Sequence, residues 1–408
     1  MDIVKSILDD NAGRDPERLR IKLAKMRASP FSFLRGTAHL FHARVRPRGA
    51  LKTAPPAWCC GDLHLENFGS YKGDNRLAYF DLNDFDEAAL APAAWDPLRL
   101  LTSLWVAADE LKLPPAAVAP LARQMIDAYA DALATGKAYW VERDTASGPV
   151  RDLLTALGDR QRADFLARRC EPPPTGRGFL RLRVDGKKAL AASRTDQQQV
   201  RAFMQHFAST QAHPGFYKVL DVARRIAGTG SLGLRRFIIL VRGKGGPHGH
   251  YLLDLKEIRP SVLAPVSPCP QPRFADEAVR VVAAQTRMQA VPMAFLQPVR
   301  LDGRPFVLRG LQPSEDRLDL AQLAARPRDL ADALQTMARL TAWAQLRASG
   351  RQGSATADEL MDFGRRGAAP GKWRDRLVET ARITADQVRA DWRDYSQAFD
   401  EGALEVGA

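Results

Sequence analysis

Cys60-Gly61-Asp62-Leu63-His64-Leu65-Glu66-Asn67 is the stretch on which the reading of this chain turns. Gly61 predicts a tight turn, and Asp62 and Asn67 put a carboxylate and a carboxamide five residues apart on it. Phosphoryl transfer uses such a pair: the carboxylate orients an attacking hydroxyl and accepts its proton, and the amide oxygen holds a phosphate-bridging Mg²⁺. A hard divalent cation also wants carboxylate oxygens. Asp81, Asp84 and Asp86 supply them within twenty residues of Asn67, at the end of an expected strand, 77–82. Taken singly, a Gly-Asp-x-His turn or an Asp cluster after a strand is an ordinary turn or helix cap; their order and spacing together favour a site. A zinc site from His64 with Cys59 or Cys60 has no second ligand pair in view.

The spacing resembles the catalytic loop of aminoglycoside phosphotransferases and related small-molecule kinases, His-Gly-Asp-x-x-x-x-Asn. Cys60 stands where those proteins have the histidine, while the acid and the amide are kept. These relatives also carry an apolar-apolar-Asp element with a second Asp twelve residues on that anchors the following helix. Asp84 and Asp96 have that spacing, so the resemblance makes Asp84 the principal metal ligand, with Asp81 its nearest rival and Asp86 a second ligand.

Farther on, Gly228-Thr229-Gly230-Ser231-Leu232-Gly233 is a GxGxxG run, and its surroundings decide its meaning. A dinucleotide fingerprint opens a helix and has an acid about 20 residues later. Here Arg235-Arg-Phe-Ile-Ile-Leu-Val241 follows, a β-rich run, so the glycines lie between strands and leave backbone N–H groups free to approach phosphates. Lys256 comes twenty-three residues after Gly233, on the expected strand 251–258, where a compact ammonium reaches a triphosphate as a point charge. Gly228, Gly230, Ser231, Gly233 and Lys256 are therefore the candidate ATP-binding residues. A helix acid normally steadies such a lysine. In the expected helix 275–290, Asp276 and Glu277 read as caps or dipole partners, which leaves Gln285 or the adjacent Glu257, with no assignment made.

The remaining pattern is helical over 1–45 with a break at Ser29-Pro30, then over 95–140, 150–170 and 194–209. Strands are expected at 237–242, 251–258, 293–300 and 305–311, with an Asp302-Gly303 hairpin turn, and helices resume from 318. Arg46–Pro56 and the Pro-rich Glu171–Gly176 read as connections. Strand, loop, strand, turn, strand, helix, strand, strand is the order of a kinase small lobe, but the catalytic segment precedes it here. A circular permutation explains this order. The expected fold is α+β: a permuted, protein-kinase-like pair of lobes. The helical lobe with the catalytic and metal segment spans 1–205, the small antiparallel β lobe 206–315, and helices of 316–408 complete the large lobe.

Phe33-Leu-Arg-Gly36, Cys60–Gly69, Phe80–Glu87, Gly228–Gly233 and Leu255-Lys-Glu-Ile-Arg-Pro-Ser261 together resemble the bacterial domain of unknown function 2252 family. That resemblance implies membership of the kinase-like superfamily with no assigned substrate. Against its pattern, no histidine stands near Leu346 and no acid at Ala283-Ala284.

With 408 residues and 45% hydrophobic content, the chain is long enough for a large core. No signal peptide and no membrane span are expected, because the most apolar window, 88–111, is interrupted by prolines and charges. Four cysteines, Cys59 and Cys60 adjacent and Cys170 and Cys269 isolated, give no disulfide framework and fit a reducing cytoplasm. The net charge of +13 suits an anionic partner of any kind, a nucleotide, a phosphorylated metabolite, nucleic acid or an anionic lipid surface, and much of it is scattered arginine that reads as a solvated face; the motifs favour a nucleotide, with no nucleic acid expected. The reading is an ATP- and Mg-dependent phosphotransferase acting on an unidentified hydroxyl-bearing small molecule. A nucleotide-binding regulatory module without turnover (a pseudokinase) and an adenylyl transferase are the alternatives.

Overall fold

The computed structural model describes residues 2–45, 48–173, 179–246, 248–312, 316–366 and 372–404. Parts of both expected connections (46–47 and 174–176), residue 247 and the end of the expected β lobe (313–315) lie outside the described residues.

Five helices come first: α1 (Ile3–Asp10), α2 (Pro16–Ala28), α3 (Pro30–Gly36), α4 (Ala38–Arg44) and α5 (Ala50–Thr53). Asp15 and Ser29 cap α2 and α3 with their side chains, and Pro16 and Pro30 occupy the first turn, where a missing N–H costs nothing. Four short strands follow, β1 (Pro56–Cys59), β2 (Phe68–Lys72), β3 (Ala78–Leu82) and β4 (Ala89–Pro92). β1 pairs antiparallel with β4, and β2 with β3. The 60–67 loop therefore leaves β1 for β2, while 83–88 links β3 to β4, and the two loops meet at the same strand ends.

Helices α6 (Trp95–Ala107), α7 (Pro115–Thr135), α8 (Gly148–Asp159) and α9 (Arg162–Ala167) come next. The apolar spacing over 95–140 is thus carried by two helices. The chain turns at Lys112, which takes a left-handed φ of 53°, and Pro114 blocks continuation. After β5 (Cys170–Glu171), β6 (Arg181–Leu182), β7 (Ala189–Ala191) and α10 (Arg194–Ser209) come β8 (Val219–Arg225), β9 (Arg236–Val241), β10 (Tyr251–Glu257), α11 (Glu277–Met288), β11 (Gln297–Leu301) and β12 (Arg304–Gly310). The chain closes with α12 (Leu320–Ala324), α13 (Pro327–Arg347), α14 (Ala357–Arg366) and α15 (Trp373–Asp400).

Six strands form one antiparallel sheet in the order β11-β12-β10-β9-β8-β7. Asp302 and Gly303 both take positive φ at the β11–β12 turn, as the Asp-Gly pair predicts. Strand alternation gives the sheet two different faces. Phe237, Ile239, Leu253, Leu255 and Leu308 pack against Val200 and Met204 of α10 in an apolar core. The opposite face carries Arg236, Asp254, Lys256 and Arg309 and looks toward the helical body. That body has its own core, in which β1, β4, α6, α7, α13 and α15 pack together.

Two helices of the body meet closely at Gly364 of α14, where an added methyl group would lie 2.6 Å from Ala130 O and 2.8 Å from Ala134 N of α7. Alanine normally stabilises a helix by about 1 kcal/mol over glycine. Forcing α14 off α7 costs about 1–3 kcal/mol, so Gly364→Ala is expected to lower the unfolding free energy in urea. A stabilised variant would contradict this packing.

Candidate active site

The 60–67 loop is fixed by its backbone. Asp96, in the first turn of α6, accepts hydrogen bonds from Cys60 N at 2.7 Å and Gly61 N at 3.1 Å. His42 Nε2 donates to Gly61 O at 2.6 Å, and the ring stacks on Trp95. Gly61 has φ +81°, and a side chain there would collide with the Glu87 carbonyl, so only glycine fits the turn. Leu65 N donates to Ser103 Oγ at 3.1 Å. Asn67 Nδ2 donates to the Asp62 carbonyl, which leaves Asn67 Oδ1 as its remaining polar atom.

Arg99, buried on α6 one turn after Asp96, grips Asp62 Oδ1 through Nε at 2.8 Å and through Nη2. The same guanidinium donates to Leu34 O at 2.9 Å and lies over the Phe41 ring. Burial outweighs this ion pair and pushes the Asp62 carboxyl up to about 6. The second oxygen, Oδ2, is turned toward the glycine loop: a methyl group on Gly230 would lie 4.0 Å from it.

Lys256 of β10 reaches the loop between β3 and β4. Its Nζ pairs with Asp86 Oδ2 and stands 3.8 Å from Asp84 Oδ1. One ammonium thus faces two carboxylates. Burial opposes ionisation of both, but Lys256, Arg309 and Arg236 hold Asp84 below the ordinary value, while the neighbouring Asp84 charge helps hold Asp86 above it. Arg280 of α11 clamps this loop from behind, donating to Asp86 O at 2.8 Å and Ala88 O at 2.6 Å. Asp81 is held elsewhere: it is buried, pairs with Arg347 at 3.0 Å and accepts from Leu82 N and Ala290 N.

Lys256, Asp84, Gly228 and Thr229 line a cavity of about 910 Å³. A smaller adjoining cavity, about 90 Å³, is lined by Asp62, Asn67, Asp84, Asp86, Gly228, Gly230 and Ser231. Asp84 and Gly228 line both. The structure therefore brings together every candidate residue except Asp81, which Arg347 holds away, and Gly233, whose carbonyl accepts from Asp15 N at 2.9 Å beneath α2. Arg14 holds the loop down through Gly230 O at 2.6 Å and Leu232 O at 2.8 Å, and Arg18 through Leu234 O at 2.8 Å. Lys22 of α2 points into the smaller cavity, where burial drops its ammonium to about 7.

The candidates for steadying Lys256 are engaged elsewhere. Gln285 bonds Gln289, Glu277 pairs with Arg280 and Glu257 with Arg304, while Asp276 caps α11. Arg347 stands beside Leu346, where the resemblance sets a histidine. Arg99, Arg280 and Arg14 were not singled out from the sequence. Arg99 offered a signal, an arginine on the apolar side of α6 that had to find a buried partner; Arg14 offered none.

Among the described residues no three His, Cys, Asp or Glu side chains converge as a metal cage. What the cleft offers is Asn67 Oδ1 with the Asp84 and Asp86 carboxylates. That set suits Mg²⁺, which takes one or two carboxylates and completes its shell with water and phosphate oxygens.

An α+β protein with an acid, an amide, paired aspartates and a lysine gathered under a glycine loop is the class these features define. The chain belongs to the DUF2252 family, described as uncharacterized protein conserved in bacteria, whose model matches residues 14–398. No curated protein and no solved structure matches it. No helix among the described residues is long and apolar enough to cross a membrane.

Asp96→Ala leaves two buried backbone donors of the 60–67 loop without an acceptor. It is expected to lower the unfolding free energy by about 2–5 kcal/mol in chemical denaturation; a change under about 0.5 kcal/mol would remove Asp96 as the loop's anchor.

Proposed function

We propose that this chain is an ATP- and Mg²⁺-dependent phosphotransferase with a circularly permuted, kinase-like two-lobed fold, acting on a hydroxyl-bearing small molecule. The observation that carries the reading is the meeting of the 60–67 loop with Lys256 and the 228–231 loop around two adjoining cavities. Sheet order supports the kinase-like part. The glycine loop joins β8 to β9, the lysine is on β10, and a helix precedes β11, with β12 lying between β10 and β11.

Three contacts support the permutation. Ala355 N donates to Pro56 O at 2.7 Å, and Trp58 Nε1 to Arg351 O at 3.3 Å, so the stretch after the long helix α13 runs beside β1, which enters the Asp62 loop. Helices α2 and α15 adjoin, with Tyr395 Oη donating to Leu23 O at 2.8 Å, and adjacent ends are what a permutation requires.

In this mechanism Asp62 Oδ2 accepts the proton of the attacking hydroxyl while Arg99 fixes the other oxygen. A carboxyl near 6 is ionised at neutral pH and still basic enough to take that proton. Asn67, Asp84 and Asp86 would hold a Mg²⁺ ion, which when bound would neutralise charge on the transferring phosphates. Lys256 and the N–H groups of 228–231 hold the phosphates. A binding module without turnover is the second reading, and the ion pair that Arg99 makes with Asp62 favours it, since it lowers the basicity of that carboxylate.

Mg-ATP at about 100 times its dissociation constant is expected to stabilise the fold by about 2.7 kcal/mol. ADP release then marks a phosphotransferase, pyrophosphate an adenylyl transferase, and neither product the module. Asp62→Ala is expected to keep Mg-ATP binding and to lose about 10²–10⁴-fold in turnover, whereas Asp84→Ala weakens binding too; equal loss of binding in both contradicts these roles. Because only ionised Asp62 accepts the proton, turnover rises with pH through about 6 and then levels. Arg99→Gln removes the cation that favours the carboxylate and moves that limb to higher pH. A limb that stays put would separate it from Asp62.

A further inference from the structure

The sheet wall of the larger cavity is unusual for a surface that holds a nucleobase, which normally rests on apolar side chains. Asp254 and Lys256 alternate onto the same face of β10, about 7 Å apart. Around Asp254 stand three guanidiniums: Arg225 at 2.7 Å, Arg236 at 2.6 Å and Arg309 at 3.4 Å. One carboxylate cannot neutralise three arginines, and the nearby Asp84 and Asp86 already share Lys256. Arg309 reaches Asp254 through Nε alone, so its terminal amino groups make no hydrogen bond among the described residues, though its charge also acts on Asp84.

Burial makes this excess charge costly, and it depresses Arg225 to about 9. Among the described residues lining the cavity, nine are Lys or Arg and four are Asp or Glu, so its neighbourhood adds to the excess. The apolar remainder of the same face, Ala223, Ile238, Leu240 and Leu252, is already covered by Leu166, Cys170 and Leu182. On that face only Ile226 and Ala227, just after β8, offer apolar surface to the cavity among the described residues.

We propose that Arg225, Arg236 and Arg309 form an anion subsite, and that the cavity takes a ligand carrying a phosphate there in addition to the phosphate group held by Lys256. The uncharged part of the ligand lies against the opposite wall, where Phe31, Leu111 and Leu320 line the cavity. The subsite rests on the phosphotransferase reading only for which molecule carries the phosphate: the far end of the donor's polyphosphate chain, or a phosphate on the acceptor.

The test is calorimetric titration of the full chain with inorganic tripolyphosphate, at low and high salt, with and without saturating Mg-ATP. Wild type is expected to bind with salt-sensitive affinity, and Arg309→Met to bind about tenfold more weakly or worse. Lys187→Glu, an exposed position at the cavity mouth, gives a second variant whose fold is not at stake, and it is expected to lose several-fold. Competition with Mg-ATP assigns the subsite to the donor, and binding on top of Mg-ATP assigns it to the acceptor. No binding by wild type, or unchanged affinity in the variants that fold, overturns the proposal. If tripolyphosphate binds through Arg309 while Mg-ATP neither binds nor turns over, the subsite stands and the phosphotransferase reading falls. Mg-ATP turnover with unaltered tripolyphosphate affinity in the variants does the reverse.

Discussion

The ion pair from Lys256 to Asp84 and Asp86 is the constraint on which the cleft depends. It joins the face of the six-stranded sheet to the loop between β3 and β4, across about 170 residues of sequence. Without a facing cation, two half-buried carboxylates so close together would favour sharing a proton over full ionisation. Without the carboxylates, Lys256 would be an unpaired ammonium in a wall already crowded with arginines. Arg280 completes the arrangement from α11 by holding the backbone of the same loop, so helix, sheet and loop are fixed to one another.

Much of the site was legible because its chemistry is local. A glycine that must turn, an acid and an amide at fixed spacing, and a glycine run between β-rich segments all declare themselves within a few residues. The Asp302-Gly303 hairpin was legible for the same reason. The partners of those groups were not, because tertiary packing decides them. Lys256 looked for an acid on the helix after β10 and found the two aspartates first assigned to metal. Asp81, which sequence spacing alone could not separate from Asp84, is buried against Arg347. The two-residue strands β5 and β6 are too short to carry a periodic signal, and the split of 95–140 into α6 and α7 rests on one left-handed residue and a proline.

Around Asp62 the fold sets two opposing influences against each other. Desolvation raises its carboxyl toward neutrality, and Arg99 restrains the rise. The same balance governs the sheet wall, where Asp254 is held well below the ordinary carboxylate range by the arginines around it once burial is overcome. Both cavities thus present groups whose charge the protein only partly satisfies, which is the feature the proposed anionic ligand and divalent cation would complete.

A double-mutant cycle on Lys256→Met and Asp84→Asn, read as Mg-ATP affinity, tests most directly whether the two distant segments form one nucleotide cleft. The proposed cleft predicts non-additive losses, with a coupling above about 1 kcal/mol. Additive losses, or Mg-ATP affinity untouched by either substitution, would contradict it.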